Sequence, residues 1–139
     1  MITRINFKFR SMGMLVGLLL LSACAGTEPK APSIEERTTA YWDTLFSGDL
    51  AGAYEFLSPG YRSSVSSMDY QRSILVKQVQ WTSAKYVDSD CSETTCTVSI
   101  SLGYRVSGAI PGVRSFTGTE KVEESWIKVD GMWYLVPQQ

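Results

Sequence analysis

The stretch Cys96-Thr-Val-Ser-Ile-Ser-Leu-Gly-Tyr-Arg-Val106 decides the fold class. Val98, Ile100, Leu102, Tyr104 and Val106 alternate with Thr97, Ser99, Ser101 and Arg105. A period of two predicts a strand with one buried and one wet face, as antiparallel sheets have. Upstream, residues 78–90 carry Val79, Trp81, Tyr86 and Val87 and predict a first long strand. Downstream, Pro111-Gly112 signals a turn into a third strand through Phe116, Val122, Trp126 and Ile127. Asp130-Gly131 is a strong two-residue hairpin signal, returning Met132–Val136 as the last strand.

Before residue 78 the apolar period is 3.6. Ser33-Ile-Glu-Glu36 is a capping box, and Ile34, Thr38, Tyr41, Trp42, Leu45 and Phe46 follow on one helical face. Gly48 supplies the C-terminal stop. Asp49 caps a short second helix with Leu50, Ala53, Tyr54 and Leu57, ended by Ser58-Pro59-Gly60. Ser67 is expected to cap a third short helix, about Met68 to Leu75. Helices first and a meander afterwards predict an α+β domain, its N-terminal helices packed on one side of a curved four-stranded antiparallel sheet.

Composition narrows the function classes. A chain of 139 residues is one domain in size. With 13 basic and 14 acidic residues it carries no basic footprint, which argues against nucleic acid as a partner. It contains no histidine, so Ser-His-Asp and Cys-His catalysis are excluded. Hydrophobic residues make up 44%, enough for a packed core rather than a disordered chain.

Residues 1–23 read as an address. Arg4, Lys8 and Arg10 precede the apolar run Met12–Ala23, which is shorter than the roughly 20 residues that span a bilayer as a helix. The run ends in Leu21-Ser22-Ala23-Cys24, which resembles the lipobox of bacterial lipoproteins. The resemblance implies cleavage before Cys24, a diacylglycerol on its sulfur and a third acyl chain, such as palmitate, on its amine. Only a thiolate is a ready nucleophile for that alkyl transfer. Ala25 stands where an inner-membrane retention aspartate would, so the expected location is the outer membrane, with the domain facing the periplasm. Cleavage would leave 10 basic and 14 acidic residues, a net of -4 over 116 residues. Residues 24–32, with Pro29 and Pro32, form a tether reaching roughly 25 Å if extended, and residues 33–137 form the domain.

Tyr41-Trp-Asp-Thr-Leu-Phe-Ser-Gly-Asp-Leu-Ala-Gly-Ala-Tyr-Glu-Phe-Leu-Ser-Pro59 resembles the opening of the nuclear-transport-factor-2-like superfamily, which includes ketosteroid isomerases and polyketide cyclases. Trp126-Ile-Lys-Val-Asp-Gly-Met-Trp-Tyr-Leu135 is similar to its last hairpin. The resemblance implies a cone-shaped sheet with a pocket under the helices. Its enzymes pair a carboxylate base with a tyrosine. Tyr41 alone matches the tyrosine position, and no motif assigns the base, so no catalytic set carries over.

Cys91 and Cys96 flank Ser-Glu-Thr-Thr at the expected tip of the first hairpin. In an exported chain a cross-hairpin disulfide is the leading reading, because directly opposed strand residues lie within disulfide reach. A redox site fits poorly, since the spacing is not Cys-x-x-Cys and no base lies nearby. Asp88, Asp90 and Glu93 lack the third aspartate and glycine of a calcium loop, and no metal site or cofactor is expected.

The candidate pocket residues are Tyr41, Trp42, Tyr54, Tyr104, Glu124 and Trp126. The same aromatics serve equally as core, and core is the preferred reading. Glu124 shares a strand face with Val122 and Trp126, so it can point inward as a base with a raised pKa. The preferred reading is the ordinary one, a Glu solvated beside Glu123 or paired with Arg105 across the sheet. The resulting expectation is a non-enzymatic, membrane-anchored lipoprotein that binds an envelope protein or a small apolar ligand. The alternative is a small isomerase- or cyclase-type enzyme using Glu124 with Tyr41. The oligomeric state stays open.

Overall fold

A computed structural model describes residues 30–110 and 113–138, with no account of the side chains at 108–110 and 113. The address segment, Cys24 and the Pro111-Gly112 turn signal lie outside the described residues. Among the described residues four helices precede four strands: α1 Ile34–Phe46, α2 Leu50–Tyr54, α3 Pro59–Ser64, α4 Ser67–Leu75, then β1 Val79–Cys91, β2 Thr95–Ile110, β3 Val113–Val129 and β4 Met132–Val136. No helix among the described residues is long and apolar enough to cross a membrane.

Local chemistry accounts for the boundaries. Ser33 Oγ accepts from the Glu36 amide at 3.2 Å while the Ser33 amide donates to Glu36 Oε2 at 2.7 Å, closing the capping box. Gly48 leaves α1 at φ 83°, a left-handed backbone conformation that residues with a side chain adopt only under strain. Asp49 Oδ1 accepts from the Gly52 amide at 2.8 Å and starts α2. Two expectations need correction. Ser58-Pro59-Gly60 is a start as well as a stop: Ser58 caps α3 and Pro59 occupies its first turn, where a missing N–H costs nothing. The last helix is capped by Ser66, not Ser67, whose own residue is already helical.

The strands pair in sequence order as an antiparallel meander, β1-β2-β3-β4. The expected cone-shaped sheet is corrected: this is an open sheet whose first and last strands are separate edges. β2 and β3 run 16 and 17 residues, longer than the alternating stretch alone predicted, so they project as a ribbon at the end remote from the short β4. Their register sets the rows facing the helices: Val79–Val106–Phe116, Trp81–Tyr104–Gly118, Ala84–Leu102–Glu120, Tyr86–Ile100–Val122, and Cys96–Trp126–Leu135. Bulges at Thr82 and Val87 keep β1 in phase with that face.

The opposite face is not uniformly wet. Ser99 is buried there between Asp88 of β1 and Glu123 of β3, and Lys121 of β3 reaches Asp88 across β2 on that side. The open edge of β4 is covered locally. The Leu135 amide donates to Phe56 O at 2.8 Å and the Ser58 amide donates to Leu135 O at 2.7 Å, a short parallel bridge at Leu57. Leu57, Ala53, Val98, Ile100 and Trp126 are the most buried apolar residues, so the core lies between α1, α2 and the β4 end of the sheet.

Cys91 and Cys96 form a disulfide between directly paired residues of β1 and β2. The bridged segment is short, so the chain-entropy gain is about 2 kcal/mol. Urea unfolding of the oxidised and reduced full chain should differ by that amount, the reduced form being weaker. Equal midpoints and slopes would show that the bridge adds nothing.

Candidate functional site

The sequence-derived pocket residues divide into one assembled group and two outliers. Tyr41 and Trp42 reach the sheet from α1, where they meet Glu124 and Trp126 of β3. Tyr54 lies away from this group, with its hydroxyl donating to Val65 O at 2.7 Å and its ring near Tyr70 at 5.8 Å. Tyr104 sits out on the ribbon against Phe116, at 6.3 Å, over the bare backbone of Gly118.

Glu124 is the chemical centre of the assembled group. Trp42 Nε1 donates to its Oε1 at 3.0 Å and Trp126 Nε1 donates to its Oε2 at 3.1 Å. Both indoles have an N–H that must find an acceptor when buried, and one carboxylate serves both. The expected solvated or Arg105-paired Glu124 is not what forms, since Arg105 pairs with Thr117 and Glu124 with Val98. Among the described residues the ion pairs are Arg62–Glu55, Arg72–Asp69 and Lys121–Asp88, so Glu124 has no cationic partner there. Burial pushes its carboxyl from the ordinary 4.5 up to about 7, against the two indole hydrogen bonds, which favour the charged form. Desolvation wins because neutral donors only partly replace the water lost.

Tyr41 completes the floor. Its hydroxyl is 3.3 Å from that of Tyr70, and its ring meets Trp126 edge-on at 6.2 Å. Burial, and next the neighbouring Tyr70, hold its phenol well above the usual tyrosine range, so it stays neutral. It is a donor or acceptor, not a base.

Beside this group is a cavity of about 220 Å3, bounded by Trp42, Trp81, Leu102, Glu124, Lys77 and the segment after β4. Sequence reasoning did not place Trp81 or Lys77 there. Trp81 stands edge-on to Trp42 at 5.4 Å, and Lys77 Nζ lies 4.8 Å over the Trp81 ring. The alternation of Val79 with Trp81 signalled an inward-facing ring, but only the bulged register of β1 shows which residues it meets. A second apolar hollow of about 180 Å3 lies on the ribbon side and is lined by strand residues alone: Val79, Trp81, Leu102, Tyr104, Val106 and Glu120. Among the described residues no three Cys, Asp or Glu side chains cluster as metal ligands.

No family model matches the chain, and no curated protein matches it. Among solved structures, it is similar to the solution structure of a SEC-C motif containing protein from Rhodopseudomonas palustris. That match has 16% identity and a TM-score of 0.47, and covers 73% of this chain and 70% of that one. The expected membership of the nuclear-transport-factor-2-like superfamily is corrected on the fold. The four strands form an open sheet with two separate edges, not the cone that the resemblance implies.

The raised Glu124 pKa has a direct consequence for stability. The unfolded chain ionises near 4.5 and the folded one near 7, so between those values the native state binds more protons. Stability attributable to this group is therefore greatest at acid pH and falls as pH rises through the window. The loss is on the order of 3 kcal/mol. Glu124→Gln removes the titration and leaves a fixed offset for the indole that loses its acceptor. Urea unfolding at pH 4 and pH 8 should show the variant gaining on the parent by that order, whereas a constant difference would place Glu124 in water.

Proposed function

We propose that the chain is a non-enzymatic binding module, held at the outer membrane through acylated Cys24 with its domain facing the periplasm, and that its partner is an envelope protein docking on the apolar ribbon side of the sheet. The observation that carries the reading is the pair of rows Val79–Val106–Phe116 and Trp81–Tyr104–Gly118, which face the helical side but hold a hollow lined only by strand residues. Val79 and Phe116 are 39% and 40% exposed, and Phe46 at the end of α1 adds a further 42%-exposed ring. Large apolar side chains grouped on one uncovered face are characteristic of interaction surfaces. The location rests on residues 1–24 alone, where basic residues, a short apolar run and Cys24 stand in the order that acylation requires.

One observation favours a small enzyme of isomerase or cyclase type instead. Glu124 sits beside a cavity with a pKa of about 7, suited to a general base. Against it, both carboxylate oxygens take indole N–H groups, and Tyr41 is engaged with Tyr70 rather than paired with Glu124.

Photo-crosslinking side chains placed in living cells at Val79 and Phe116 should trap the same envelope protein, and one placed at exposed Met68 on α4 should not. Val79→Asp and Phe116→Asp should abolish the crosslink from the other site while changing stability by no more than about 1 kcal/mol. Equal trapping at all three positions would sink the docking face. Mass spectrometry of the N-terminus should show a triacylated Cys24, lost in Cys24→Ala; a mature chain without fatty acids removes the location.

A further inference from the structure

We propose that the cavity beside α1 binds a small organic ammonium ion, with Glu124 as its counter-charge and the rings of Trp42 and Trp81 as its walls. The site is separate in chemistry from the ribbon-side docking face and does not depend on it. Three observations meet here. Glu124 is a largely buried carboxylate whose two hydrogen bonds come from neutral indoles and which has no cation among the described ion pairs. A buried charge held only by neutral dipoles gains most from a cation brought next to it. The walls are aromatic: Trp42 and Trp81 meet edge-on at 5.4 Å, and indoles are the strongest ring partners for cations. The protein also places an ammonium of its own at this spot, Lys77 Nζ at 4.8 Å over the Trp81 ring.

Lys77 does not neutralise Glu124, because no Lys77–Glu124 pair lies within ion-pair distance. It reaches the Trp81 face from the exposed segment between α4 and β1, so a ligand can displace it without disturbing the core. The volume, about 220 Å3, is below the roughly 300–1,000 Å3 of sites for drug-sized ligands and suits a headgroup-sized cation. Leu102 and Leu135 supply apolar wall for the methyl or methylene groups next to the nitrogen. A free amine and the ammonium headgroup of a lipid share this chemistry.

The test uses the full chain in detergent, following tryptophan fluorescence and the indole N–H resonances of Trp42 and Trp126. Choline should give saturable shifts, and its neutral isostere 3,3-dimethylbutan-1-ol should bind about tenfold more weakly or worse. Glu124→Gln should lose about tenfold in choline affinity while its unfolding curve shows it folded. Lys77→Met, an exposed change, should bind choline more tightly, since the resident ammonium is gone. Phosphatidylcholine and phosphatidylglycerol vesicles run in parallel identify the source. Response to free choline assigns a soluble amine, and response to phosphatidylcholine vesicles alone assigns a headgroup; both support an ammonium site. The proposal is overturned if the alcohol matches choline, if neither choline nor phosphatidylcholine binds, or if Glu124→Gln or Lys77→Met leaves the affinity unchanged.

Discussion

Two indole N–H groups share one carboxylate, and the packing of helix on sheet depends on that arrangement. Trp42 belongs to α1 and Trp126 to β3, and Glu124 satisfies both. Each ring carries a large apolar surface that must be buried and one polar atom that must not be stranded. Removing the carboxylate would leave two donors in the interior, at about 1–3 kcal/mol each. Glu124 thus fixes the rotation of α1 about its axis, and with it the approach of Tyr41 to Trp126 and of Trp42 to Trp81. The cost is a carboxylate removed from water without a cation. A group so placed is either an expensive structural clip or a seat for a positive ligand, and the aromatic walls and the nearby Lys77 favour the second.

The sheet separates two jobs along its length. Toward β4, the helices cover the inner rows and the Phe56–Ser58 strand bridge closes the edge. Toward the other end, β1, β2 and β3 carry Val79, Val106 and Phe116 in one row on a face with no helical cover over its hollow. The disulfide lies at the β4-side end, at the β1–β2 turn, where it pins register without restricting the ribbon. Rigidity is therefore concentrated around Trp126 and Leu57, while apolar surface is exposed on the projecting part.

Element by element, the local signals carried far. The capping box at Ser33, the Gly48 stop, the Asp49 cap and the Asp130-Gly131 turn each act within a few residues, so they can be read from composition at fixed offsets. The Ser58-Pro59 pair misled because a proline that ends one helix is equally suited to begin another. Ser99 misled because alternation assigns it to the wet face, whereas it lies buried on the central strand between Asp88 and Glu123 of its neighbours. The cone expected from the Tyr41–Pro59 likeness failed for a related reason: sheet closure depends on strand coiling and edge pairing, which no single segment encodes.

By itself the sequence determined the caps at Ser33 and Asp49, the strand period, the cysteine pair and the strand face that Glu124 shares with Val122 and Trp126, because all of these follow from spacing along one chain. Whether Glu124 met water, Arg105 or two indoles was decided only when β2 and β3 settled their register and α1 laid Trp42 across them. The reason is physical: a carboxylate's pKa and partners depend on how much solvent other elements exclude, and that exclusion is a property of their packing together.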